Sequence, residues 1–167
     1  MSWDLYRPRA LPGVVRPGST CTEYVQQVDF LATVAELLRL NLPPNMGEDS
    51  FTLLPLLTGS GKGTRTSGIN QSFHGLFAIR QGPWKLIFGQ GSGGWAKGFD
   101  TKAEQLYQVD EDPTEARNVI DEHRAKVKEL TELMRTIVAD GRSTVGPPEQ
   151  NDVAIDWRKF IGTTEGR

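Results

Sequence analysis

The sequence predicts an α+β fold, a small antiparallel sheet of about four strands packed against helices. Three observations predict it. Residues 77–88 read as a β-hairpin. Two stretches, one from Val25 and one over Val127–Val138, repeat apolar residues at helical spacing. Eighteen glycines and ten prolines among 167 residues supply the turns that such a fold needs.

The chain opens with an irregular segment, 1–12, broken by Pro8 and Pro12. Pro17-Gly18-Ser19-Thr20 is a turn. Val25, Val28, Leu31, Ala32, Ala35 and Leu38 then step by three and four, which predicts a helix. Pro43-Pro44 stops it, because proline lacks the N–H donor and restricts the residue before it. Phe51–Leu57 is one apolar turn closed by Gly59, and Ser60–Arg65 is a Gly- and Ser-rich loop. Gly68–Phe73 is a strand leading into the hairpin.

In that hairpin Phe77, Ile79 and Gln81 point one way and Ala78 and Arg80 the other. Gln81-Gly82-Pro83 is the reversal. Trp84, Leu86 and Phe88 make one apolar face, with Lys85 and Ile87 on the other side. A lone hairpin is marginal in water and needs further strands or a helix. Gln105–Val109 supplies a strand, and Asp110–Pro113 turns the chain. Asp121 is the expected N-cap of the second helix, whose stripe is Val127, Leu130, Leu133, Met134, Ile137 and Val138 and whose stop is Gly141. Residues 142–167 form an irregular tail in which Val153, Ile155 and Trp157 alternate as a candidate edge strand. One sheet with helices on one face is expected to bury both apolar stripes.

Composition narrows the function. Nineteen basic and 21 acidic residues are scattered along the chain, so neither a nucleic acid nor a membrane surface is an expected partner. No apolar run reaches bilayer-spanning length, and the first twenty residues carry no apolar core of a signal peptide. Cys21 is the only cysteine, which leaves no internal disulfide and no cysteine-based zinc cluster. Gly89-Gln90-Gly91-Ser92-Gly93-Gly94 follows a strand, but no helical pattern follows it, so it lacks the context of a phosphate loop. His74 and His123 have no second metal ligand at helical spacing. Asp110, Asp112 and Glu115 lack calcium-loop spacing. His74, at a strand end before Gly75, is either an ordinary loop residue or a functional group presented by a loop. The residues alone stop at an α+β domain without a complete active site.

Several segments in order resemble the C-terminal region of the sulfatases, the sulfuric-ester hydrolases. Pro12-Gly13 through Pro17-Gly18 resembles a strand and turn of that family. Asp29-Phe30-Leu31-Ala32-Thr33 resembles a helix start. Leu42-Pro43, Gly47–Ser50 and Leu53–Leu57 resemble one continuous passage. Arg80-Gln81-Gly82-Pro83-Trp84-Lys85-Leu86 resembles the family hairpin. Leu106-Tyr107, Asp112-Pro113, Glu115 and Asn118 resemble the strand and turn after it. Asp140–Thr144 resembles a bacterial arylsulfatase tail. The matches run from Leu11 to Asp152.

The resemblance implies the C-terminal subdomain of the alkaline-phosphatase-like sulfatase fold over 13–141. There it packs on the main domain and helps wall the substrate cleft. It also implies what this chain lacks. Sulfatases make formylglycine in a Cys/Ser-x-Pro/Ala-x-Arg motif. Cys21 is followed by Thr22-Glu23-Tyr24, and no serine fits either. Formylglycine, calcium and the catalytic residues are therefore expected only in a catalytic half, and no catalytic or metal residue is assigned here. His74 and Trp95 are the candidate substrate-binding residues. A catalytic sulfatase domain in trans, or self-association, is the expected partnership, with an exposed apolar face at Phe73, Leu76, Trp95 and Phe99. Intact relatives are often exported. The alternative is a stand-alone binding module that reuses the fold.

Overall fold

The computed structural model describes residues 13–94 and 102–159. The chain divides into two compact units, Met1–Thr66 with Arg142–Glu149, and Ser67–Gly141 with Gln150–Arg167.

The second unit holds the sheet, a four-stranded antiparallel meander in sequence order: β1 (Ser67–Gln71), β2 (Phe77–Gln81), β3 (Trp84–Ile87) and β4 (Gln105–Gln108). Its register puts Ile69, Ile79, Leu86 and Leu106 in one row across all four strands. Side chains alternate along each strand, so this row lies on one face. Helix α3 (Arg124–Asp140) lays Leu130 and Met134 against it, both with no exposed surface. Val127, Leu133, Ile137 and Val138 flank them. Trp157 closes the cluster with its ring 4.6 Å from that of Phe88. Ala78, Ile87 and Tyr107 form a smaller cluster on the opposite face, with Leu76 and Val109. The second hairpin strand is therefore buried on both faces at its far end.

Asn118 fixes the return to α3. Its side-chain oxygen accepts the N–H groups of Leu106 at 3.0 Å and Ile120 at 3.1 Å, which seats Val119 and Ile120 in the core. The N-cap of α3 differs from expectation: the helix follows His123, and no side chain caps it. The Asp121 carboxylate is taken instead by Lys102 at 2.5 Å and by Arg124. These partners, Lys102 first, hold Asp121 below the usual carboxylate range. Gly141 ends α3 in the left-handed region, as expected. The candidate edge strand is not formed. Residues 150–156 are irregular and Val153 is 72% exposed, while Asn151 donates to Val138 O at 2.7 Å and Trp157 packs on the core.

The first unit contains α1 (Asp29–Leu37) and the short α2 (Leu54–Thr58), closed by Gly59 at φ 69°. Helix α1 begins four residues later than the periodicity from Val25 predicts. Its first amides are satisfied locally: Asp29, Phe30 and Leu31 donate to the carbonyls of Gln26, Gln27 and Val28. Ala32 N–H donates to Ser50 Oγ at 2.8 Å, and that hydroxyl donates to Val28 O at 2.7 Å. Ser50 thus acts as a cap contributed from a distant loop.

The orientation of α1 is inverted. Asp29, Thr33 and Ala35 are buried, whereas Phe30, Leu31, Val34, Leu37 and Leu38 are exposed. At 100° per residue these five occupy one arc of the helix. The expectation that the sheet buries both apolar stripes therefore fails for α1. What holds its inner side is polar. Asp29 accepts N–H groups from Gln26 at 2.8 Å and Phe51 at 3.0 Å and both arms of Arg65 at 2.9 and 2.5 Å. Arg65 also donates to Asp49 O and lies over the Phe51 ring. The segment expected as a loop over Ser60–Arg65 therefore ends in a buried anchor. Residues 142–149 return to this unit. Ser143 and Thr144 N–H bond to Glu48 O, and Arg142 donates to the carbonyls of Pro44, Thr144 and Pro147. Among the described residues no helix is long and apolar enough to cross a membrane.

Candidate functional site

His74 sits at the tip of the β1–β2 connection. Ser72 makes that turn tight: its N–H donates to Leu76 O at 2.8 Å and its hydroxyl accepts Leu76 N–H at 3.0 Å. The turn pushes Phe73 and His74 outward, and their rings meet edge to face at 5.2 Å. Both are exposed. Leu76, grouped with them by sequence as part of an exposed apolar face, points inward and is buried. Trp95 and Phe99 lie outside the described residues. The larger exposed apolar surface is on α1, where the sequence does not place it.

The glycine segment after β3 crosses this turn. His74 N–H donates to Gly93 O at 3.1 Å. The approach is too close for any other residue: a Cβ on Gly93 falls 2.2 Å from Ser72 Oγ and 2.6 Å from Leu76 Cβ. Gly93 also has φ 62°, in the left-handed region that favours glycine. The structure thus brings His74 against the residues that lead into Trp95.

Two further residues position that segment, and sequence reasoning missed both roles. Gln105 is buried, and its amide nitrogen donates to Gly89 O at 2.8 Å and Gly91 O at 2.9 Å. Tyr107 donates its hydroxyl to Gln105 Oε1 at 2.7 Å, which fixes the amide orientation. The available signal was the Gln-x-Tyr spacing, since residues two apart share a strand face. Lys85 is cross-strand to Tyr107, but both oxygens of Glu115 engage its Nζ, at 2.6 and 2.8 Å. It is a structural cation.

Chemically, this end of the sheet offers an exposed imidazole beside backbone carbonyls and small side chains. That suits hydrogen bonding to a polar ligand. Cys21 is exposed, and among the described residues no three His, Cys, Asp or Glu side chains gather as metal ligands. The described residues thus offer no ligand set for calcium.

Gly93→Ala tests the crossing. The left-handed backbone costs an L-residue about 1–2 kcal/mol, and the clash adds to it. The expected result is faster hydrogen exchange at the His74 amide with the exchange of Leu106 and Leu130 unchanged. Unaltered protection at His74 contradicts the arrangement.

No family model matches the chain. Curated relatives do. The chain is 32% identical over 133 residues to an N-acetylgalactosamine-6-O-sulfatase of Bacteroides thetaiotaomicron, covering 75% of this chain and 25% of that protein. It is 30% identical over 164 residues to human arylsulfatase A, covering 83% of this chain and 31% of that enzyme. A solved structure from the metabolism of multiple glycosaminoglycans by Bacteroides thetaiotaomicron superposes with a TM-score of 0.56 at 30% identity, covering 65% of this chain and 24% of that one. The chain spans a quarter to a third of the length of these curated relatives.

Proposed function

The chain belongs to the sulfatase family, part of whose length it matches, and we propose that it is the C-terminal region, which contributes the sheet-and-helix wall of a sulfatase substrate cleft without performing the chemistry itself. The observation that carries this reading is a combination. Sulfatase similarity extends over 75–83% of the chain. Yet none of its 167 residues forms the Cys/Ser-x-Pro/Ala-x-Arg motif. Without it, sulfate meets no attacking group in this chain.

In this reading the formylglycine and calcium reside in a catalytic sulfatase part acting with the chain. His74 faces the cleft, where its imidazole hydrogen-bonds an oxygen of the sulfated substrate, and Trp95 is the second candidate substrate-binding residue. The matched relatives act on a sulfated amino sugar in one case and are named for aryl sulfates in the other. Sulfate esters are accordingly the substrate class.

The test is turnover of a chromogenic aryl sulfate by the purified chain, with and without calcium. No turnover above buffer is expected. Turnover that survives rigorous purification overturns the reading, and its loss in Cys21→Ala would relocate the chemistry to that cysteine. Saturable binding of a sulfated sugar by the chain alone, abolished in His74→Ala, favours the stand-alone binding module instead.

A further inference from the structure

We propose that the outward arc of α1, formed by Phe30, Leu31, Val34, Leu37 and Leu38, is the seat on which the rest of a sulfatase chain docks through an apolar surface of its own. The inference rests on the partnership proposed above and names the surface that makes it.

Three observations carry it. First, the helix is inside out by the standard of a self-sufficient fold. Amphipathic helices turn apolar residues to the core and polar ones to water. Here the fully buried Asp29 and the buried Thr33 face inward, while Phe30 is 56% and Leu38 60% exposed. Second, among the described residues the unit that carries α1 shows no cluster of buried apolar side chains. Both clusters of buried apolar residues lie among residues 76–134, in the other unit. Among the described residues of the first unit the buried side chains are Asp29, Thr33, Ala35, Ser50 and Arg65. A helix whose large apolar residues have no core beneath them requires one laid over them. Third, the length of the relatives identifies the occupant. The matched segment is 25% of one relative and 31% of another, so in those proteins it is accompanied by more than twice its own length of chain. An apolar patch of this kind marks an interaction surface, and the additional sulfatase chain is the covering mass at hand.

The experiment uses the intact 167-residue chain in two settings. In the first, it replaces the matched quarter of the Bacteroides N-acetylgalactosamine-6-O-sulfatase. The expected result is a soluble, active hybrid. Val34→Asp with Leu38→Asp should then remove most of the soluble yield and activity, while Thr136→Asp, on the exposed polar side of α3, should leave both unchanged. In the second setting the chain is alone. The same double variant should keep its circular dichroism and lose most of its binding of 1-anilinonaphthalene-8-sulfonate. Should the double variant unfold, Leu38→Ser at the most exposed position of the arc serves in both settings, with the same expected directions.

The failures are distinguishable. An insoluble or inactive unsubstituted hybrid overturns the sulfatase partnership on which the inference rests. A double-variant hybrid as active as the unsubstituted one overturns the α1 surface and leaves the partnership standing. An isolated chain that sediments as a dimer, converted to monomer by the double variant, assigns the surface to a second copy and overturns the proposal.

Discussion

Asp29→Ala should destabilise the α1–α2 unit by about 3–5 kcal/mol, the usual cost of stranding one member of a buried ion pair. The magnitude follows from what the carboxylate does. Arg65 has a side chain only 2% exposed, so loss of Asp29 leaves a buried guanidinium without its counter-charge. The amides of Gln26 and Phe51 lose their acceptor at the same time. Against a total of roughly 5–15 kcal/mol for a whole domain, such a loss is decisive. The measurement is chemical denaturation followed by hydrogen exchange at α1 amides. An unchanged transition there refutes the account. Arg65→Met with Asp29→Leu should recover part of the loss, since an apolar pair needs no counter-charge. Recovery stays partial because the two amides remain without an acceptor.

The same pair sets an acid limit. Burial pushes the Asp29 carboxyl up, but hydrogen bonds from Arg65, Phe51 and Gln26, with the Arg65 charge, outweigh it and hold the group below its ordinary value. A carboxyl lowered in the folded state stabilises fully above the unfolded value of about 3.9 and loses that contribution as pH falls through the folded one. The α1–α2 unit should therefore hold through mildly acidic pH and weaken below roughly pH 4. Asp29→Ala should flatten that dependence. An acid profile identical in the variant contradicts the assignment.

Leu130→Ala is the second large effect, about 2–5 kcal/mol for a fully buried leucine. Leu130 lies under the Ile79–Leu86–Leu106 row beside Met134, all without exposed surface. The cavity opens in the main contact between α3 and the sheet, which runs through β2 and β3. The denaturant midpoint reads it. Val34→Ala on α1 is the matched control and should stay within about 0.5 kcal/mol, as exposed positions do. Equal shifts at the two sites would mean that the two helices are not buried as described.

The two helices also show what the sequence makes legible. Spacing identifies an apolar stripe but not what covers it. For α3 the cover is the hairpin, whose own alternation is plain, so the partnership is readable from both sides. For α1 the cover is not among the described elements of its unit, and the periodicity that predicts the helix carries no sign of that. The polar anchors were hidden for a different reason. Arg65 stands after a run of glycine, serine and threonine, which reads as loop, and its partner is 36 positions away. Long-range pairs of opposite charge are too common in sequence to single one out. In sequence Gln105 shows itself only as a strand residue, because two glycine carbonyls as its acceptors depend on how the loop after β3 folds back. The Asp121 cap failed because Lys102 and Arg124 compete for the carboxylate that the helix amides needed. At the candidate site, His74 is legible from its neighbourhood to the hairpin, whereas its contact with Gly93 requires the fold.

The path of the chain has a consequence for how the protein comes into being. Residues 142–149 close the first unit through Arg142, Ser143 and Thr144, yet they are encoded after the entire sheet and α3. During synthesis at roughly 5–20 residues per second, the α1–α2 segment waits several seconds for its closing piece. The meander and α3 are by then contiguous and complete in their mutual contacts. The apolar arc of α1 is thus presented to its surroundings from early in translation. Assembly on the ribosome, before Arg142 locks the loop at Pro44, is a natural moment for it to be covered.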